Sequence, residues 1–289
     1  MTKLALGTVQ FGLNYGVANT DGRVNLEEAS SIVSRARLAG IDTLDTAIAY
    51  GESESVLGEI GLHALNVVTK LSAVPDDCRN IAHWVKTQID QSLQRLKIKQ
   101  VHGVLLHRPG QLHDSFGPEL YAALHSLKAE GLVKKIGISV YGPGELNALV
   151  KRYAFDIVQA PLNILDRSFV ESGWAESLKQ QNIEVHTRSA FLQGLLLMPK
   201  DRRPAKFSPW VDIWTEWDRW LAAESLTPLQ ACLRYATGLD CIDQVIVGVD
   251  STAQLDEIID AASGQLSSLP QFRKLQDDRL VNPAKWNQL

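Results

Sequence analysis

The sequence predicts an α/β fold, a (β/α)8 TIM barrel forming one domain, and three observations predict it. Eight short segments read as strands, most of them continuous apolar runs rather than alternating ones, the pattern of strands buried on both faces. A helical pattern follows nearly every strand. The 289 residues contain no convincing linker, low-complexity segment or sequence repeat, so all eight βα units belong to one domain, 1–289. An open doubly wound sheet is the alternative. No G-x-G-x-x-G opens a βα unit, which counts against it.

In chain order, Leu4 to Val9 is the first strand, with Gly7-Thr8 near its end, where backbone can approach a ligand closely. Phe11 to Gly22 carries Gly, Asn and Asp at turn spacing and is a loop. Asn25 with Glu28 predicts a capping box, and Leu26, Ala29, Ile32, Val33 and Ala36 make a helix face closed by Gly40. Ile41 opens a short strand through Asp45, and Ser53 to Ile60 is a helix. Val67 to Leu71 is a strand and Ile81 to Leu96 a helix. Val101 to Leu106 is a strand stopped by Pro109-Gly110. Leu120, Ala123, Leu124 and Leu127 make the next helix face. Lys135 to Val140 is a strand, followed by a short helix to about Tyr153. Ile157 to Leu162 is a strand, Phe169 to Gln180 a helix, and Ile183 to Thr187 a strand. Pro209 to Ala223 is a helix with Trp210, Trp214, Trp217 and Trp220 on one side, which reads as packing on the barrel; a substrate wall is the other reading. Thr227-Pro228 starts a helix ended by Gly238. Gln244 to Val249 is the eighth strand, and Ser251-x-x-Gln254 is a second capping box whose helix runs to about Ala262. Surface insertions are expected at Pro75 to Asn80 and Leu195 to Pro209. The segment from about 264 to 289 is expected to pack on or flank the barrel.

Hydrophobic residues are 45% and charged residues 21%, enough for a sizeable core. The net charge is -4 and there is no basic run, so neither nucleic acid nor a membrane is an expected partner. No apolar run is long enough for a signal peptide or a membrane span. Three scattered cysteines (Cys78, Cys232 and Cys241), without C-x-x-C, fit free thiols in a reducing cytoplasm.

In such a barrel, function sits at the C-terminal ends of the strands. Strand 2 ends on Asp45 with Tyr50 just beyond, strand 3 on Lys70 and strand 4 on His107. Strand 5 offers Ser139, strand 6 Gln159 and Asn163, and strand 7 Arg188 and Ser189. Each has a plain structural reading: Asp45 as a turn cap, Tyr50 as a half-buried ring, Lys70 reaching solvent, His107 as a satisfied loop histidine. Together they make a coherent chemistry. A buried ammonium beside a phenol favours the phenolate, a carboxylate keeps the ammonium charged, and a histidine can hold a carbonyl oxygen next to the phenol. Tyrosine then serves as general acid. The hydride must come from a cofactor, because no side chain supplies one. His102, His107 and His113 lack any H-E-x-x-H or carboxylate-histidine pattern, so no metal site is expected.

The residues that carry this chemistry sit in a chain that resembles the aldo-keto reductases. The resemblance rests on Gly7-Thr8, D-T-A-x-x-Y-G at Asp45 to Gly51, T-K at Thr69-Lys70 and L-L-H-R-P at Leu105 to Pro109. It continues through G-I-S ending at Ser139, Gln159, S-A-F-L-Q-G at Ser189 to Gly194, and G-V-D-S-x-x-Q-L at Gly248 to Leu255. It implies Tyr50 as proton donor, tuned by Lys70 and Asp45, with His107 orienting the carbonyl of a small-molecule aldehyde or ketone. It implies that Ser139 and Gln159 hold a nicotinamide carboxamide. The loop containing Ser189, Leu192 and Gly194, with Gly7, Thr8, Gly248, Ser251 and Gln254, would hold the rest of the dinucleotide.

Four positions depart from the family pattern. Val140 stands where asparagine often adds a carboxamide contact. Arg188 stands where an aromatic ring usually stacks on the nicotinamide, a role its planar guanidinium can take. Asp250 stands near the position of 2′-phosphate contacts, and Ile258 replaces an asparagine that often meets adenine. The resemblance therefore favours NADP(H), with NAD(H) as the contender. Asn14, Arg108 and Asn163 suggest a polar lining for a sugar-like carbonyl. Two rival readings are a Schiff-base aldolase using Lys70 and a non-catalytic dinucleotide-binding barrel.

Overall fold

In the computed structural model, which describes residues 2–17, 19, 22–272 and 278–289, strands β1 to β8 close into a parallel barrel in sequence order. The strands are β1 (Leu4–Gly7), β2 (Thr43–Asp45), β3 (Asn66–Leu71), β4 (Val101–Leu106), β5 (Val133–Ser139), β6 (Ile157–Pro161), β7 (Glu184–Arg188) and β8 (Gln244–Gly248). Gly7 pairs with Asp45 on one side and Gly248 on the other, which closes the ring. Ala18, Thr20, Asp21 and 273–277 lie outside the described residues, and with them parts of the expected loop at Phe11 to Gly22 and of the segment from 264.

The helices are α1 (Leu26–Leu38), α2 (Ser53–Ile60), α3 (Ile81–Leu96), α4 (Gly117–Ala129), α5 (Leu146–Arg152), α6 (Ser168–Glu171), α7 (Trp174–Gln180), α8 (Val211–Glu224), α9 (Pro228–Thr237) and α10 (Thr252–Ala261). Their apolar faces meet the outward side chains of the strands in one large core, and Val68, Leu105 and Ile157 form a separate plug inside the barrel. On α8, Trp214, Trp217 and Trp220 are buried, and the rings of Trp217 and Trp220 stack with centroids 5.7 Å apart. Trp286, near the end of the chain, is buried edge-on against Phe207.

Three local expectations are corrected. The helix expected over Phe169 to Gln180 is two helices, because Gly173 takes φ 79° between α6 and α7. Val9 leaves the first strand for a 3-10 turn over Val9–Phe11. The capping boxes at Asn25 and Ser251 are half-formed. Each cap side chain accepts the expected N–H, of Glu28 and Gln254, but the reciprocal bonds go elsewhere. The Glu28 carboxylate accepts the Thr252 N–H at the start of α10, 2.5 Å away, and the Gln254 amide oxygen accepts the Asp250 N–H at 2.8 Å. The complete box is at Thr227, where Gln230 is the partner.

At the start of the strands, Glu184 accepts hydrogen bonds from Lys135 and from His102 (3.1 Å), with His186 Nε2 at 3.5 Å. Burial opposes ionisation of Glu184, but these donors hold its pKa well below the usual carboxylate range. This end is built for stability.

Strand β5 approaches β6 closely at Gly137, where an added Cβ would lie 2.1 Å from the Ile157 carbonyl oxygen. Gly137→Ala is expected to destabilise the protein by about 1–3 kcal/mol through overpacking. Urea unfolding measures this, and an unchanged midpoint would contradict the packing described.

Candidate active site

The ends of β2, β3, β5 and β6 converge on one buried carboxylate. Asp45 is the last residue of β2 and 4% exposed; Lys70 is 1% exposed on β3. Lys70 Nζ donates to Asp45 Oδ1 at 2.5 Å and to the Thr46 carbonyl at 2.9 Å. Gln159 Nε2, from β6, donates to Asp45 Oδ2 at 2.7 Å, and Ser139 Oγ, from β5, donates to Gln159 Oε1 at 3.0 Å. Burial would lower the Lys70 pKa. The Asp45 carboxylate, the nearby Tyr50 phenol and the hydrogen bond to Asp45 outweigh it, so the pKa is raised above the ordinary lysine value and Lys70 stays an ammonium. Two of its three donors are thereby spent, and the Tyr50 ring centroid lies 5.1 Å from Nζ.

Tyr50 lies in the turn between β2 and α2, pinned from outside. The backbone of Gly12 presses on it so closely that a Cβ at Gly12 would stand 1.7 Å from the Tyr50 carbonyl oxygen. Thr8 fastens the same region: its N–H and its hydroxyl both donate to the Asp45 carbonyl at 3.0 Å. Below the turn, Glu54 of α2 is buried and accepts from Thr69 Oγ1 (2.7 Å), Ser92 Oγ (2.6 Å) and both Nε and Nη2 of Arg95. This locks α2 to the residue preceding Lys70. No local pattern signals this role, because a glutamate in a first helical turn normally reads as an exposed end charge.

His107 follows β4, its ring 6.0 Å from that of Tyr50 at 80°. Burial, then the charge of Lys70, with smaller effects of Arg188 and Arg108, outweigh the opposing effect of Asp45 and lower the His107 pKa to about 4. The imidazole is neutral at physiological pH. Neither Tyr50 Oη nor the His107 ring has a hydrogen-bond partner among the described residues, and both line a cavity of about 1310 Å³ at the mouth of the barrel.

The cavity is large enough for a dinucleotide and a small substrate. Gly7, Thr8, Ser139, Gln159, Arg188, Ser189, Gly194, Gly248 and Gln254 line it, as do Gln10, Tyr15 and Tyr141, which the sequence did not single out. Leu192 is buried outside the lining, and Ser251 caps α10. The loop after β7 holds Ser189, Leu192 and Gln193 at positive φ, an uncommon conformation for these residue types. The N–H groups of Ala190, Phe191 and Gln193 have no partner among the described residues, so the loop offers donors to an anion. With the Ser139–Gln159 pair, these features fit a nicotinamide dinucleotide.

Arg188 reaches back over the barrel to donate to the Val140 carbonyl at 3.0 Å, its guanidinium 5.1 Å from the Tyr141 ring centroid. Asn163 does not reach the cavity: its side chain accepts the N–H groups of Leu165 and Asp166 and shapes the turn after β6. Asn14 is exposed outside the lining, and Arg108 stands at the rim on Tyr141. The tryptophans of α8 are likewise not lining residues. Among the described residues, no group of three or more His, Cys, Asp or Glu could hold a metal ion, and no helix is long and apolar enough to cross a membrane.

The model of the Aldo/keto reductase family matches residues 3–274. The chain belongs to this family. Its activity is the family's, nicotinamide-dependent reduction of a small-molecule carbonyl. The uncharacterized oxidoreductase YqkF of Bacillus subtilis (strain 168) is 26% identical over 297 residues, 96% of each chain. The NADH-specific methylglyoxal reductase of Escherichia coli (strain K12) is 26% identical over 218 residues, 68% of this aldo/keto reductase and 65% of the relative. The holo form of the aldo-keto reductase AKR11C1 from Bacillus halodurans shares the fold with a TM-score of 0.72 at 21% identity, covering 92% of this chain and 88% of that one.

The low His107 pKa predicts a flat histidine NMR signal for this ring from about pH 5.5 to 8, and a Lys70→Met substitution should raise its pKa by removing a nearby cation. Titration midway between these pH limits in the unsubstituted protein would overturn the assignment.

Proposed function

We propose that Tyr50 is the proton donor in carbonyl reduction and that Asp45, Lys70 and His107 prepare it. The single observation that carries this reading is the convergence at one cavity of a partner-free phenol, a neutral partner-free imidazole and a buried ammonium held by a carboxylate. A bound nicotinamide supplies the hydride. His107, neutral, donates to the carbonyl oxygen and holds it beside Tyr50 Oη. As negative charge grows on that oxygen, Tyr50 gives up its proton, and the Lys70 ammonium stabilises the phenolate left behind. The Schiff-base alternative would need Lys70 as a free amine; its raised pKa and its two hydrogen bonds oppose that.

Ser139 and Gln159 would meet the carboxamide, Arg188 the ring face, and the loop from Ser189 to Gly194, with Gly7, Thr8 and Gly248, the phosphates and riboses. The family resemblance alone favours NADP(H). The adenosine end argues for NAD(H) instead. Asp250 and Glu257 contribute carboxylates to the lining there, and Glu28 already occupies the Thr252 N–H. The cavity's basic residues (Lys70, Arg167, Arg188 and Arg202) come from other segments. A carboxylate suits ribose hydroxyls and repels a 2′-phosphate. The substrate would be a small hydroxylated, sugar-like carbonyl, with Tyr15, Tyr141 and Gln193 as polar contacts, and the three free cysteines fit a cytoplasmic setting.

Tyr50→Phe should lower kcat by about 10²–10⁴-fold while the cofactor dissociation constant changes little; retention of full rate on a carbonyl panel would sink the mechanism. Asp250→Ser should raise kcat/KM for NADPH relative to NADH by about tenfold, roughly the effect of relieving one partly screened like-charge contact. A ratio that stays constant would remove Asp250 from cofactor choice.

A further inference from the structure

Two arginines stand at the mouth of the barrel without a counter-ion among the described residues. Arg108 directly follows His107, and its guanidinium carbon lies 5.6 Å from the Tyr141 ring centroid. Arg188, from the end of β7, lies 5.1 Å from the same centroid. Neither forms an ion pair among the described residues, and the exposed Arg108 side chain makes no hydrogen bond among them. The carboxylate beside Tyr141 is Glu145, which accepts the Tyr141 N–H at 2.6 Å and pairs with neither arginine. Around the reacting centre, Asp45 cancels Lys70 and His107 is neutral, so the two guanidiniums leave about two positive charges uncompensated beside the groups proposed to hold the carbonyl. Tyr141 and Arg188 line the cavity, Arg108 lies just outside the lining against the Tyr141 ring, and a guanidinium stacked on a ring keeps its N–H edge free for an oxyanion.

We propose that the substrate of this aldo/keto reductase is a carbonyl compound that also bears an oxyanion, a carboxylate or a phosphate ester, held at the cavity rim by Arg108 with Arg188 behind it. This rests on the carbonyl reductase reading and narrows its substrate class. A charge-assisted bidentate contact at a half-open rim is strong enough to set specificity, and it acts on capture more than on the chemical step. Arg188 and Arg108 also add, after burial and the charge of Lys70, to the lowering of the His107 pKa.

The test compares matched pairs with the cofactor-loaded enzyme. Succinic semialdehyde against its methyl ester probes a carboxylate, and D-glyceraldehyde 3-phosphate against D-glyceraldehyde probes a phosphate. In at least one pair the anionic member should have kcat/KM higher by about tenfold or more, mostly through KM, and the advantage should shrink from 50 to 500 mM salt as screening grows, to roughly the value for a partly exposed pair. Arg108→Gln should cut the anionic preference at least about fivefold and leave the neutral member within about twofold. Equal efficiency within both pairs would overturn the proposal, as would an Arg108→Gln loss shared by charged and neutral members. Calorimetric binding of 4-hydroxybutanoate and glycerol 3-phosphate, against butane-1,4-diol and glycerol, separates this from the underlying activity. Arg108-dependent binding of an anion without turnover of any pair keeps the anion site and refutes carbonyl reduction. Absence of such binding, with turnover intact, does the reverse.

Discussion

The buried ion pair between Lys70 and Asp45 is the constraint from which the rest of the site follows. An ammonium at 1% exposure cannot exist alone in the mouth of a barrel. Once Asp45 neutralises it, the remaining carboxylate oxygen needs a donor, which Gln159 provides, and the Gln159 carbonyl needs one in turn, which Ser139 provides. Four strands are thereby tied at their C-terminal ends by side chains as well as by the backbone ladder. The geometry is over-determined, and the Tyr50 phenol and the His107 ring, which have no hydrogen-bond partner among the described residues, are held in a fixed electrostatic setting. Removing one member of such a pair leaves an uncompensated buried charge, a loss of about 3–5 kcal/mol. The site and the stability of this end of the barrel are for that reason one property.

The barrel was legible in the sequence because burial on both faces writes itself as unbroken apolar runs, and the residues at the ends of those runs are few. Asp45, Lys70 and His107 could be picked out by that position alone. What was not legible is pairing between units. Glu28 bonding Thr252 joins residues 224 positions apart, and Glu54 takes its partners from β3 and α3. No local pattern announces such contacts: locally Glu28 reads as the partner in a capping box, and Glu54 as an ordinary acidic residue in a first helical turn. Asn163 erred in the other direction. A polar residue at a strand end looked like cavity lining, but its side chain satisfies two backbone N–H groups of its own turn, the habit of asparagine in loops.

The two ends of the barrel show why charge alone does not make a site. At the start of the strands, Glu184 gathers His102, Lys135 and His186 around itself, and its oxygens are occupied. Apart from His186 Nδ1, which lacks a partner among the described residues, that cluster is closed. At the other end the same ingredients are arranged with a deficit. The carboxylate is saturated, but a phenol, an imidazole and a guanidinium are left facing a cavity that no described side chain fills. Folding has already met the cost of burying and ordering these groups, so a ligand that completes them gains hydrogen bonds without reorganising the protein, which is the condition for electrostatic catalysis. Because the charges felt at His107, Lys70 against Asp45 with Arg188 and Arg108 besides, sum to a positive one, what completes this corner of the cavity best is an oxygen on which negative charge is present or growing.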